Sequence, residues 1–167
     1  MKQLWILRHA HAEPFADEAT DFERRLDKRG VREAEAMAAL AGSLQLQFER
    51  VVVSPAARTL ATAQQMAQVL AIPRRHVHAD ERIYLAQRKT LVAIVRALPD
   101  ECGSALLVGH NPGVSRLVRW LTDDDGIDEL RPATLVGVAA DLRHWSDADA
   151  GLFERLRVLR PEDADRR

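Results

Sequence analysis

The sequence predicts an α/β domain, a three-layer αβα sandwich on a mostly parallel sheet with at least one late antiparallel strand. Three observations predict it. Short apolar runs of strand length alternate with longer stretches of helical period as far as Leu121, the pattern of strands joined by crossover helices. The early runs are apolar at consecutive positions, as strands covered on both faces must be. Two strand-like runs then follow each other with only a turn between them, the arrangement open to antiparallel neighbours.

The first run, Gln3-Leu4-Trp5-Ile6-Leu7, stops at Arg8-His9 and reads as a buried central strand. Residues 13–25 are polar and acidic, contain Pro14 and hold no sustained period, so they read as a long loop of the kind that often carries function. Asp27 is placed to cap a helix from Lys28 to about Gln45, with Val31, Ala34, Met37, Ala38 and Ala41 at helical spacing. Val51-Val52-Val53 is the second strand. Ser54-Pro55 then opens a helix to about Leu70, with serine as cap and proline in the first turn. His76 to Ala79 reads as a short third strand, Arg88 to Leu98 as a helix and Ser104 to Val108 as a fourth strand. Asn111-Pro112 repeats the cap-plus-proline signal before a helix to about Leu121. Thr134 to Leu142 and Leu152 to Leu159 are the two late strands, joined through Ser146 to Gly151. One domain over residues 1–160 is expected, followed by a charged, frayed tail over 161–167.

Composition narrows the function classes. The chain has 167 residues, 47% hydrophobic and 29% charged, as in soluble globular proteins, and its formal net charge is −1. No global field therefore favours nucleic acid or an anionic membrane, and any phosphate site must be a local concentration of positive charge. The single cysteine, Cys102, closes no intrachain disulfide and suits a reducing cytoplasm. The N-terminus runs straight into a short apolar strand, which does not read as a signal peptide. No apolar run approaches the ~20 residues of a membrane span.

The active edge of such a sheet lies beyond the carboxyl ends of its parallel strands. Arg8-His9, Ser54 to Arg58 and Gly109-His110-Asn111 all follow strands there. Arg8 and Arg58 offer planar cationic forks that match phosphate oxygens. Arg58 and His110 also lie beside helix starts, where free N–H groups favour an anion. A neutral imidazole such as that of His9 can attack phosphorus and carry the phosphoryl group covalently, with its other nitrogen held by a hydrogen bond.

Three segments carry a resemblance. Leu7-Arg8-His9-Ala10 resembles the Arg-His signature of the histidine phosphatase superfamily. Ser54-Pro55-Ala56-Ala57-Arg58-Thr59-Leu60-Ala61-Thr62-Ala63 resembles its Ser-Pro-x-x-Arg-x-x-x-Thr-Ala motif, and Val108-Gly109-His110-Asn111-Pro112-Gly113 its third box. The three motifs occur in order over residues 7–113. Ala10, the Gly-His-Asn-Pro-Gly box and the short chain are most similar to the SixA-like phosphohistidine phosphatases. The resemblance implies a phosphoglycerate mutase-like fold with His9 as nucleophile. Arg8, Arg58 and His110 would serve catalysis and bind phosphate, with Asn111 also at the substrate. It implies a hydrolase acting on a phosphorylated protein, such as a histidine phosphotransfer domain; with no metal-ligand cluster evident in the sequence, the reaction is expected to be metal-independent and cofactor-free. A small-molecule phosphomonoesterase or mutase of the same fold, and a non-catalytic phosphate-binding module, are the rivals.

His11 stands where that subfamily is expected to carry lysine. Larger relatives that cleave esters carry an acidic proton donor between the second and third motifs. Here that interval is short, and Glu81, beside Asp80, is its best-placed carboxylate, in no matching pattern. Alkoxide leaving groups need a proton, so a missing acid favours a phosphoramidate. Asp123-Asp124-Asp125-Gly126 lacks the alternating ligands of a calcium loop, and His76 and His78 have no evident third metal ligand.

Overall fold

A computed structural model describes residues 1–15 and 20–166. The middle of the acidic loop, residues 16–19, lies outside the described residues. Six strands form one sheet: β1 (Lys2–Arg8), β2 (Arg50–Val53), β3 (Val77–Ala79), β4 (Ser104–Gly109), β5 (Leu135–Ala140) and β6 (Glu154–Leu159). Their order across the sheet is β3-β2-β4-β1-β5-β6. β1 to β4 run parallel, and β5 runs antiparallel to both β1 and β6. The late antiparallel strand is thus β5.

Successive side chains of a strand point to opposite faces, and each face has its own helical cover. Trp5, Leu7, Val51, Val53, Leu106 and Val108 pack with Met37, Ala63 and Met66 from α1 (Lys28–Ser43) and α2 (Ala57–Val69). On the other face Leu4, Ile6, Val52, Ala105 and Leu107 pack with Leu91, Ile94 and Leu117 from α3 (Arg88–Arg96) and α4 (Gly113–Thr122). Two dry faces explain the unbroken apolar runs. Fully burying each Leu or Ile contributes roughly 1.5–3 kcal/mol, so neither face tolerates a polar residue cheaply.

Helix α1 starts as its sequence predicts. The Asp27 carboxylate accepts from the Gly30 backbone N–H at 2.7 Å. A side chain at Gly30 would meet the His11 carbonyl at 1.8 Å, so glycine lets α1 lie directly against the loop that follows the first motif. The other two caps differ from expectation. Helix α2 begins at Ala57 behind Ala56, and α4 begins at Gly113 behind Pro112, neither with a side-chain cap. Ser54 and Asn111 are engaged elsewhere, by tertiary contacts described below. The tail differs as well: Pro161–Arg166 is a 3-10 helix, with Ala164 packed against the core beneath α1. No helix among the described residues is long and apolar enough to cross a membrane.

Candidate active site

β2, β4 and β1 are neighbours in that order, so the residues after them emerge side by side. Backbone bonds clamp the three ends together. Ser54 N–H donates to the Val108 carbonyl (3.1 Å), His9 N–H to Gly109 (3.2 Å), and Ala133 N–H to the carbonyls of Arg8 and His9 (both 3.1 Å). His9, Arg58 and His110 are all buried. The structure brings these three predicted residues into one cluster.

The hydrogen-bond partners settle the tautomers, because arginine can only donate. His9 Nδ1 lies 2.7 Å from the Ala10 carbonyl and must donate to it. Its Nε2 accepts from Arg58 Nε at 3.2 Å and therefore carries a lone pair. His110 Nδ1 accepts from Arg58 Nη2 at 3.3 Å, so its Nε2 donates to Ser54 Oγ at 2.7 Å. That bond is where the Ser54 hydroxyl is used instead of as a helix cap. Thr62, the threonine of the second motif, holds the first: its Oγ1 accepts from Ala10 N–H (3.1 Å) and donates to the Arg58 carbonyl (2.8 Å).

Arg8 is oriented from the far side of the site. Its Nη1 donates to the Leu130 carbonyl at 2.7 Å, while its buried Nε has no hydrogen-bond partner among the described residues. Burial lowers the Arg8 pKa, opposed by Glu129 and Glu33. Asn111, expected at the substrate, is occupied structurally. Its Nδ2 donates to the same Leu130 carbonyl (2.8 Å), and its Oδ1 accepts from Ser115 Oγ (2.6 Å). Asn111 thus reaches the site through the carbonyl it shares with Arg8.

The acidic loop supplies a group that sequence reasoning missed. Asp21 Oδ2 accepts from Arg58 Nη2 (3.0 Å) and from the Tyr84 hydroxyl (2.7 Å), and its Oδ1 accepts from Arg24 Nη1 (2.8 Å). Its backbone carbonyl accepts from Arg58 Nη1 at 2.5 Å. Tyr84 packs edge-on against His110, centroids 5.5 Å apart, and against Phe22 at 5.1 Å. The only signal for Asp21 in the chain was the polar loop itself.

Electrostatics follow from this packing. Burial lowers His9 to about 4, against the pull of the Ala10 carbonyl and with the Arg58, Arg8 and Arg24 charges adding to it. Burial lowers His110 to about 3, with His9 and Arg58 adding. Burial alone would raise the Asp21 carboxyl, but bonds from Tyr84, Arg58 and Arg24 outweigh it and bring it to about 2. Both rings are therefore neutral and Asp21 is ionised near neutrality. An imidazole ¹⁵N titration is expected to find His9 still neutral at about pH 5.5, as the Nδ1–H tautomer, where an ordinary histidine is largely protonated. A His9 midpoint near 6.5 contradicts this geometry.

Comparison with known proteins matches this arrangement to a family. The profile of the histidine phosphatase superfamily (branch 1) matches residues 4–84. An uncharacterized Mycobacterium leprae protein is 32% identical over 119 residues, covering 70% of this chain and 71% of that protein. The chain belongs to the histidine phosphatase superfamily. Within it, the phosphohistidine phosphatase SixA of Escherichia coli K12 is 28% identical over 140 residues, 83% of this chain and 86% of SixA. A solved structure of the protein histidine phosphatase SixA complexed with tungstate superimposes with a TM-score of 0.80 at 25% identity, covering 96% of this chain and 98% of that one.

The remaining candidates of this histidine phosphatase lie apart from the cluster or serve other contacts. His11 is partly exposed and pairs with Asp27 (2.7 Å). Asp80 is bound by Arg82 (2.6 Å), and Glu81 is exposed on a 3-10 turn after β3. Asp124 pairs with Arg155 at 3.2 Å. Among the described residues, no group of three or more His, Cys, Asp and Glu side chains is placed to hold a metal ion.

Proposed function

We infer that this chain hydrolyses phosphohistidine on another protein by way of a phosphoryl group carried on its own His9. One observation carries the reading: the Ala10 carbonyl fixes His9 as the Nδ1–H tautomer, which leaves the Nε2 lone pair beside the Arg58 guanidinium. Burial keeps that nitrogen unprotonated. A nucleophile is thereby prepared next to a cation suited to the phosphoryl oxygens.

As the phosphoryl group enters, Arg58 Nε shifts its hydrogen bond from His9 Nε2 to a phosphoryl oxygen. The freed Nε2 lone pair attacks phosphorus as the bond to the substrate imidazole breaks, and that bonding pair leaves with the substrate ring. The positive charge that develops on His9 is stabilised through Nδ1–H by the Ala10 carbonyl. Arg58 and Arg8 balance charge on the phosphoryl oxygens. Neutral His110 accepts from Arg58, so donating to a phosphoryl oxygen requires a proton on Nδ1, which the incoming dianion favours. Water then adds to phosphorus, the P–N pair returns to Nε2, and the water hydrogens leave with phosphate. Asn111 acts by holding the Leu130 carbonyl against Arg8 rather than by touching substrate.

The state of Asp21 favours a phosphoramidate over an ester. This carboxylate at the cluster is held ionised by three hydrogen bonds and has no proton to give an alkoxide. A leaving imidazole whose second nitrogen already carries a proton departs neutral without an enzymic acid. The partner read from this chemistry is a phosphorylated protein such as a histidine phosphotransfer domain.

A substrate panel with and without EDTA tests the reading. A phosphorylated phosphotransfer domain is expected to exceed sugar phosphates and nucleotides in kcat/KM by about tenfold or more, unchanged by the chelator. A monoester turned over with the higher kcat/KM overturns the substrate assignment, and loss of activity in EDTA overturns metal independence.

A further inference from the structure

Outside the cluster, a groove of about 570 Å³ runs from the start of α3 along α4 to the residues just past the C-terminus of α4. Its lining sets Arg88, Lys89, Arg116 and Arg119 around Trp120, with Asp123 and Asp125 at one end. Four cations against two acids is a local excess in a chain whose net charge is −1, so it does not follow from overall composition. Arg88 lies over the Trp120 ring at 5.6 Å, and Arg96 approaches the same ring at 5.9 Å. Arg119 is tied to the Ile127 carbonyl (2.6 Å), whereas Lys89 and Arg116 are exposed.

The groove adjoins the catalytic edge. Helix α4 starts three residues after His110, and α3 starts four residues after Tyr84, whose ring meets His110. The two starts abut: a Cβ at Gly113 would stand 2.2 Å from the Ala86 carbonyl. At 1.5 Å of rise per residue, Arg116 and Trp120 lie about 4 and 10 Å along α4 from its first residue. The end of the groove at Arg88 and Arg116 is therefore the end nearer the catalytic edge, and Trp120 and Asp123 mark the far end.

The geometry points to the α3–α4 groove as a docking surface for acidic residues that flank the phosphohistidine of the partner protein. The assignment rests on the phosphohistidine reading above and adds what selects the partner. Arginine and lysine around an aromatic plane suit carboxylates and exclude basic surfaces. Exposed pairs of this kind are weakened by salt, so the preference for an acidic partner falls as ionic strength rises. None of these side chains touches His9, so the groove affects capture and leaves the chemical step alone.

Three substrates test it: a phosphohistidine peptide with glutamates about four to eight residues from the phosphohistidine, its lysine counterpart, and free phosphohistidine. Wild type is expected to favour the acidic over the basic peptide by about tenfold or more in kcat/KM, chiefly through KM, and less so at high salt. Lys89→Glu/Arg116→Glu is expected to abolish or reverse that ratio while turnover of free phosphohistidine stays unchanged. Asp125→Lys is expected to widen it. A wild-type ratio near one, an unchanged ratio in both variants, or a uniform loss on all three substrates in the double variant overturns the docking assignment while the phosphohistidine reading stands. A wild type that hydrolyses p-nitrophenyl phosphate but none of the three overturns that reading, and the docking surface falls with it.

Discussion

The His9→Ala protein is expected to lose turnover by on the order of 10⁴-fold or more in kcat, since removing a covalent nucleophile removes the reaction path itself. Arg58 remains charged and buried in this variant, so phosphate affinity survives better than catalysis. Rapid-quench labelling under alkaline conditions, which preserve phosphohistidine, is expected to trap phosphate on wild-type His9 and none on the variant. Added imidazole is expected to restore part of the turnover by occupying the space the ring leaves. Acid stability changes in the same variant. His9 sits at about 4 in the fold against about 6.5 in an unfolded chain. Between those values the unfolded state binds a proton that the folded state does not, so stability falls as pH drops through that window. His9→Ala removes this contribution, and its urea midpoint is expected to fall less steeply between about pH 6.5 and 4. Full activity in the variant, or label on another residue, rules out His9 as the phosphoryl carrier.

Arg58→Ala is expected to lower kcat by about 10²–10³-fold, the scale set by removing one preorganised donor from a transition state of spread negative charge. The loss exceeds that for an exposed arginine because Arg58 is 3% exposed and its donors meet His9, His110 and Asp21 together. Arg58→Lys keeps the charge but not the fork, and a compact ammonium cannot satisfy three partners set around a plane. It is expected to recover only a minor part of the rate. Asp21 retains Arg24 and Tyr84 in both variants, so no uncompensated carboxylate is left and the fold persists. Steady-state kinetics with single-turnover labelling separate the effects. A raised KM with unchanged kcat assigns Arg58 to ground-state binding alone and overturns its role in transfer.

Much of this organisation was legible in the chain. Consecutive apolar residues in β1, β2 and β4 announced strands covered on both faces, and the helical spacing of Val31, Ala34, Met37, Ala38 and Ala41 announced α1 with its Asp27 cap, although Val31, in the first turn, is exposed and only the other four are buried. Ser54 and Asn111 were misread as caps because a hydroxyl or amide before proline carries that local signal whatever its tertiary partner. In the fold Ser54 receives His110, and Asn111 joins Leu130 to Ser115. The tail over 161–167 read as frayed from its charge, yet Pro161–Arg166 form a 3-10 helix with Ala164 packed against the core.

The sequence by itself determined the strand–helix alternation and placed Arg8, His9, Arg58 and His110 at or just after strand ends, because those signals are periodicities and dipeptides read within a few residues. The tertiary structure alone decided which of these groups touch and in what protonation state. Arg58 meets Asp21 across 37 residues, Ser54 meets His110 across 56, Tyr84 meets Asp21 across 63, and Arg8 meets Leu130 across 122. Such pairs follow from the order β2-β4-β1 and from a loop folding over the strand ends. No local pattern encodes that packing, yet its burial and hydrogen bonds keep His9 neutral and Asp21 ionised.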